Sequence, residues 1–228
     1  MLLWANTIPC WSAERNNILA EKSYISSYCH IKNNAISVDG KMIFEDASEA
    51  RGAEDFSTFI KGAYKFLQTD YSKFFKMDNL SKLAFLAADV LLKKENLGED
   101  ENNIALVFAN RASSLDTDRK HQATIENKAE YFPSPAVFVY TLPNICLGEI
   151  SIRHRLFSEN SFFIFDRFNA EHFQLYANSL LQNGKAEKVL CGWVDLDAES
   201  YEAFLYLVGN KGGIEHKTEE INRLYNTL

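Results

Sequence analysis

Hydrophobic and polar positions along this chain switch repeatedly between a period of two and a period near 3.6. The stretch from Ser161 to Asp195, SFFIFDRFNAEHFQLYANSLLQNGKAEKVLCGWVD, shows the switch most clearly. Phe162 to Phe165 is a short aromatic run that reads as a strand buried on both faces. A polar corner follows at Asp166, Arg167 and Asn169, where Asn169 suits an N-cap and Glu171 a first-turn carboxylate. Ala170, Phe173, Ala177, Leu180 and Leu181 then recur along one helical face. Gly184 stands where a helix end takes a left-handed residue, and Val189 to Val194 is a second apolar strand. Many enzymes keep a nucleophile at a corner between a strand and a buried helix. This corner holds an arginine.

The rest of the chain follows the same alternation. Tyr24 to Ile31 predicts a first strand, and Ala35–Val38, the Asp39-Gly40 turn signal and Met42–Phe44 predict a hairpin. Ser48 to Asp55 reads as loop, Phe56 to Phe75 as helix, and Lys76-Met77-Asp78 as a break in which Asp78 or Asn79 caps the next segment. Leu83, Ala87, Val90 and Leu91 make a helical stripe within Leu80–Leu92. After an acidic loop at 96–103, Ile104 to Ala109 is a continuous apolar strand of a buried sheet. Arg111 to Lys120 reads as polar loop and 121–131 as a helix ended by Pro133 and Pro135. Two apolar segments, 136–140 and 145–152, flank Pro143-Asn144. Tyr201 to Val208 adds a strand, and 214–228 reads as a polar tail. Residues 1–20 carry no clear pattern. Strands alternating with helices make the chain α/β.

Composition narrows the function. A chain of 228 residues that is 46% hydrophobic buries a substantial core as one large domain or two small ones. Its net charge of −7 argues against a nucleic-acid or anionic-membrane binder. No run approaches the roughly 20 apolar residues of a membrane span, and MLLWANTIPCW lacks the basic region and apolar core of a signal peptide. A soluble cytoplasmic protein without membrane insertion is the expectation. The four cysteines, Cys10, Cys29, Cys146 and Cys191, share no CxxC or histidine spacing, so neither a metal nor a cofactor is expected.

Candidate chemistry is sparse. Asn210-Lys211-Gly212-Gly213 lacks the Lys-Ser/Thr pair of a phosphate loop and reads as a surface turn. None of the five histidines shows a metal-site spacing or an obvious Ser or Cys partner. His172, in the first turn after the corner, has its cationic form disfavoured by the helix N-terminus. Cys146 is an alternative nucleophile, but its apolar neighbours raise rather than lower a thiol pKa. Arg167 stays protonated at physiological pH, so it is neither nucleophile nor base. Its charge opposes the helix dipole, and Asp166 or Glu171 is expected to offset it.

The order of segments resembles the N-terminal half of the β-ketoacyl synthases, the condensing enzymes of the thiolase fold. The matching pieces are KMDNLSKLAFLAADVLL at 76–92, IALVFAN at 104–110, SPAVFVYTLPNICLGEISI at 134–152 and NSLLQNGKAEKVLCGWVD at 178–195. The resemblance implies an α/β thiolase-like half, one mixed sheet with flanking helices, truncated relative to full β-ketoacyl synthases. It implies a single domain over 1–228 with its core at about 22–208 and a polar tail at 209–228. In the family the nucleophilic cysteine occupies the corner, which here is Asp166-Arg167-Phe168, and two histidines of the C-terminal half stabilise the enolate. With nucleophile and histidines both missing, the resemblance implies a subunit that is not active alone, similar to the short chain-length-factor-like partners of aryl-polyene and related synthases. Such a subunit pairs with a full-length ketoacyl synthase, or with itself, and an acyl carrier protein is a further expected partner. Asn144 and Phe162, Phe163, Ile164 and Phe165 are the expected partner face. Two alternatives remain: a diverged acyltransferase using Cys146 on carrier-protein or coenzyme A thioesters, and a homodimeric binder of acyl chains or carrier protein.

Overall fold

The computed structural model describes residues 22–46, 56–95, 97–127, 129, 132–198 and 200–227. The loop expected at 48–55 lies outside them, as do residues 1–20. The eight strands are β1 (Tyr24–Lys32), β2 (Ala35–Val38), β3 (Lys41–Glu45), β4 (Ile104–Asn110), β5 (Asn160–Ile164), β6 (Lys188–Asp197), β7 (Ser200–Gly209) and β8 (Ile214–Glu215). They form one mixed sheet in the order β3-β2-β1-β7-β6-β4-β5, with β8 paired to β1. β4 runs parallel to both β5 and β6, and the other pairings are antiparallel.

Every residue of β4 is buried, as its unbroken apolar run requires. Strand alternation divides it between two cores. Ile104, Leu106 and Phe108 join one, and Ala105, Val107 and Ala109 the other. The hairpins at β1–β2 and β2–β3 turn on Asn33-Asn34 and Asp39-Gly40, all at positive φ, which suits the twist of the strands they join. Gly192 in β6 has no room for a side chain, because a Cβ there would lie 2.9 Å from the Phe108 ring.

Helices cover both faces. The first core is capped by α1 (Phe56–Phe66), α2 (Asn79–Leu92) and α5 (Ile145–His154). Asp78 caps α2 by accepting a hydrogen bond from Ser81 N at 2.9 Å. α2 is buried almost all round, because it lies between the sheet and its neighbouring helices. The second core is covered by α6 (Ala170–Gln182) and α7 (Thr218–Tyr225). Asn183 closes α6, and Gly184 follows at φ +64.

Three expectations differ from the structure. The helix expected over 56–75 ends at Phe66; Gln68 takes a positive φ, and a 3-10 turn at Ser72–Lys76 follows. The helix expected at 121–131 starts earlier, in the expected loop, as α3 (Leu115–Ile125), where Asp116 and Asp118 occupy the first turn; residues 128, 130 and 131 lie outside the described residues. Only Thr117 of α3 is buried, so no apolar stripe announces it. The segment 136–140 falls in the short helix α4 (Pro135–Val139) and the next turn, with Ser134 as N-cap and no buried residue. The polar tail is not a tail: β8 extends the sheet, and Ile221 and Leu224 of α7 are buried in the second core.

Candidate functional site

The corner between β5 and α6 is held from three directions. Phe165 N donates to the Asn110 carbonyl at 2.9 Å, which ties the end of β5 to the end of β4. Asn169 Oδ1 accepts from His172 N at 3.0 Å and so caps α6. Phe168 is half-buried and stacks on Tyr225 of α7 with ring centroids 4.1 Å apart. Between these anchors Asp166 and Arg167 are exposed. Neither pairs with the other or with Glu171, so the offset expected for Arg167 is absent. Its guanidinium has no ion pair or hydrogen bond among the described residues.

Two clefts meet at this corner, both lined by Asp166, Arg167 and Phe168. One, of about 740 Å³, runs along the start of α6 to Thr218 and Asn222 of α7. The other, of about 580 Å³, lies over the carboxyl ends of β4, β5 and β6 and reaches Lys32, Arg111, Trp193 and Glu202. Open α/β sheets place ligands at that end of their parallel strands. Its wall carries two carboxylates with their charges already satisfied. Asp195 Oδ1 accepts from the backbone of Arg111 at 3.1 Å and of Ala112 at 2.9 Å. Glu202 Oε1 accepts from Trp193 Nε1 at 2.9 Å and Tyr225 OH at 2.8 Å, and Oε2 pairs with Lys32 at 3.2 Å. Burial opposes the Glu202 charge, but the donors Tyr225, Trp193 and Lys32 outweigh it and hold its pKa below the usual carboxylate range. Burial and the adjacent Glu202 push the Tyr225 hydroxyl up, so it stays protonated and donates to Glu202.

Among the described residues no cysteine faces this site. Cys146 is fully buried in α5 within the first core, and burial pushes its thiol well above the ordinary range. Cys29 and Cys191 are likewise buried, each pushed up to about 12. His172 has its pKa lowered by burial, its ring packing edge-on against Phe163 at 4.4 Å and Phe165 at 4.9 Å. One Ser–His contact escapes a reading of the sequence. His216 Nδ1 lies 3.3 Å from Ser23 Oγ, but Asn178 Oδ1 lies 2.6 Å from the serine and 3.1 Å from the ring nitrogen. An amide oxygen only accepts, so both groups donate to it and Nδ1 carries a proton. That nitrogen therefore takes none from Ser23. Among the described residues no group of three or more His, Cys, Asp or Glu side chains is placed to hold a metal ion.

The candidate partner face lies beside the corner. Among the described residues β5 is an edge strand, paired to β4 on one side only, and its middle is half-buried rather than enclosed on both faces. Phe162 packs on the first core, Phe163 and Phe165 on the second, and Ile164 is 50% exposed. Asn144 is exposed at the start of α5 and caps nothing with its side chain. Reading by apolar pattern missed Phe138 and Leu142, 58% and 56% exposed around α4. The two prolines bracketing that apolar segment were its only signal. Lys32, Glu202 and Tyr225 were also missed, because nothing local in the sequence links them to the corner.

No protein-family model and no curated protein matches the chain. Solved structures do match it. The ishigamide ketosynthase/chain length factor superposes with a TM-score of 0.60 at 16% identity, covering 82% of this chain and 62% of that one. The ketosynthase ApeO in complex with its chain length factor ApeC, from Xenorhabdus doucetiae, gives a TM-score of 0.53 at 15% identity over 84% of this chain and 80% of the matched one. The complex AntDE:AntF, a type II polyketide synthase acyl-carrier protein with its hexaketide-bound ketosynthase, gives 0.53 at 15% identity over 90% and 65%. The chain thus spans between 62% and 80% of the length of these structures. Among the described residues no helix is long and apolar enough to cross a membrane. The mixed sheet, its two helical layers and the strand–corner–helix site together are the thiolase-like α/β fold of the ketosynthases and chain length factors.

Proposed function

We propose that this chain is a chain-length-factor-like subunit: a ketosynthase-fold protein without its own nucleophile that pairs with an active ketosynthase in fatty-acid or polyketide-type synthesis and helps to set acyl-chain length. The observation that carries the reading is the corner. Arg167 stands exposed between β5 and α6, and the three described cysteines are fully buried with raised thiol pKa values. A guanidinium neither attacks a thioester nor takes a proton. Asp166, Arg167 and Phe168 then occupy the place of a nucleophile without supplying one.

The free edge of β5 supports pairing. An exposed edge strand presents unpaired N–H and C=O groups, and an aromatic one without charges invites a second strand. In this reading the partner's equivalent strand adds antiparallel to β5, and Phe162, Phe163, Ile164, Phe165 and Asn144 line the contact. Exposed apolar residues around α4 extend it toward the ~1,600 Å² of a standard interface. Two of the matched structures are described as pairing a ketosynthase with a chain length factor or with an acyl-carrier protein, and both partner types are proposed here. The acyltransferase alternative through Cys146 has no support in the geometry, since that side chain has no exposed surface.

The test is co-expression with a full-length ketosynthase followed by size-exclusion chromatography and product analysis. A stoichiometric complex whose product length changes when this subunit is withheld is the expected result. A chain that remains monomeric beside every candidate ketosynthase overturns the reading, and a self-paired chain moves it to the homodimeric binder.

A further inference from the structure

We propose that the 580 Å³ cleft at the corner binds a small organic anion, a carboxylate on a planar apolar body, with the charge held by Arg167 and Arg111 and the body against Tyr201. The proposal concerns this chain alone and does not depend on pairing. It starts from the location, since the carboxyl ends of β4, β5 and β6 converge where open α/β sheets hold their ligands.

Charge bookkeeping identifies the ligand class. Three cations and three carboxylates line the cleft. Glu202 is saturated by Trp193, Tyr225 and Lys32, and Oδ1 of Asp195 by two backbone amides. Arg111 Nη2 reaches Asp195 Oδ2 only at 3.5 Å and leaves most of its side chain exposed. Arg167 has no partner at all among the described residues. Two planar guanidiniums with unspent donors therefore face a concavity in which, of the three carboxylates, only Asp166, exposed and unpaired among the described residues, keeps its acceptors free. A guanidinium in that state takes a carboxylate in preference to a neutral group. The half-buried phenol ring of Tyr201 supplies flat apolar surface in the same wall, and Trp193, 3% exposed, backs that wall from within.

A second cation-lined cleft differs in this respect. There, in about 330 Å³ between the ends of α2 and α5, Lys93 lies 2.7 Å from Asp89, and Arg155 donates to the Glu99 carbonyl. Those cations are committed to a buried carboxylate and to a backbone carbonyl. The corner's are not.

Isothermal titration calorimetry of the full chain tests this with 2-naphthoate, its uncharged twin 2-naphthamide, and inorganic phosphate. Naphthoate is expected to bind at least about tenfold more tightly than naphthamide, and Arg167→Gln to weaken it about tenfold. Lys185→Gln, on a remote surface, is expected to leave binding unchanged. No naphthoate binding at millimolar concentration, equal binding of the amide, or full binding by Arg167→Gln overturns the proposal. Phosphate bound as tightly as naphthoate overturns the ligand class, since the apolar body would then count for nothing. Arg167 is exposed, so the variant is expected to fold, and an unchanged circular dichroism melt confirms that loss of binding is local.

Discussion

The ring of Phe168 stacks on the ring of Tyr225 at 4.1 Å with an interplanar angle of 22°. The pair joins the corner to α7 across 57 residues of sequence. Tyr225 OH also donates to Glu202, and His30 Nε2 donates to the Leu224 carbonyl at 3.0 Å. The C-terminal helix is thus a wall of the corner clefts.

Two substitutions separate the stack from the hydrogen bond. Tyr225→Phe keeps the ring and loses one donor to Glu202, for about 1 kcal/mol. Tyr225→Ala loses ring and donor together and is expected to cost about 3 kcal/mol, within the range for removing a large, half-buried aromatic side chain. Urea unfolding of both variants reads the difference. Equal losses for the two would mean that the stack contributes nothing.

Docking of α7 is expected to be acid-sensitive. Burial lowers His30 and His216 to about 4 each, one bonded to α7 and the other just before it. The unfolded chain protonates these rings from about pH 6.5 downward and the folded chain only near 4, so the unfolded state gains protons first. Their contribution is complete above about pH 6.5 and is lost as pH falls toward 4, on the order of 2–3 kcal/mol per ring. Thermal melts between pH 7.5 and 4.5 are expected to show this slope, and His30→Gln with His216→Asn to flatten it. A double variant with an unchanged slope would assign the acid sensitivity elsewhere.

Asp89 is fully buried in α2 yet carries a charge, which burial disfavours and which His154 and Lys93 more than restore, so its pKa lies below the ordinary range. Thr69 Oγ1 donates to it as well, at 3.0 Å. The network fastens the loop after α1 and the end of α5 to α2. Asp89→Asn leaves the surrounding cations without their partner and is expected to cost about 3–5 kcal/mol at pH 7. The loss is expected to shrink below about pH 4, where the unfolded carboxyl of the parent protonates and the parent's own stability falls. Chemical denaturation at pH 7 and pH 3.5 checks both parts.

How much of this was legible depended on whether the physics was local. β4, α2 and α6 announce themselves because burial on two faces or along one stripe leaves an unbroken or 3.6-period apolar pattern. Gly184 and the Asp39-Gly40 turn are legible for the same reason: the backbone conformation is a property of the residue. α3 was not, since its stability comes from Asp116, Asp118 and polar contacts such as Ser114 Oγ to the Thr141 carbonyl at 2.6 Å. α7 presents only Ile221, Leu224 and Tyr225 among charged neighbours, and their burial depends on β1 and α6 far away in sequence. An aromatic run such as Phe162–Phe165 reads alike in a central strand and an edge strand, because composition records apolarity and not which side lacks a neighbour. The arginine at the corner was legible, but the cleft around it was not, since Lys32, Arg111, Glu202 and Tyr225 meet there only through the sheet.

The edge strand gives the sharpest test of pairing. Ile164 is half exposed at the free edge of the sheet, next to the corner, so a substitution there leaves both cores intact. A charge on an edge strand opposes addition of a second strand. Ile164→Arg is therefore expected to change the stability of the isolated chain by no more than about 0.5 kcal/mol while abolishing co-elution with a ketosynthase. Ile164→Val, which keeps the edge apolar and β-branched, is expected to retain the complex. If Ile164→Arg still co-elutes in stoichiometric amount, the contact runs through another surface and β5 is simply an uncovered edge. If neither form co-elutes although the parent does, the side chain's shape rather than edge polarity governs the contact, which would place Ile164 in a packed interface pocket.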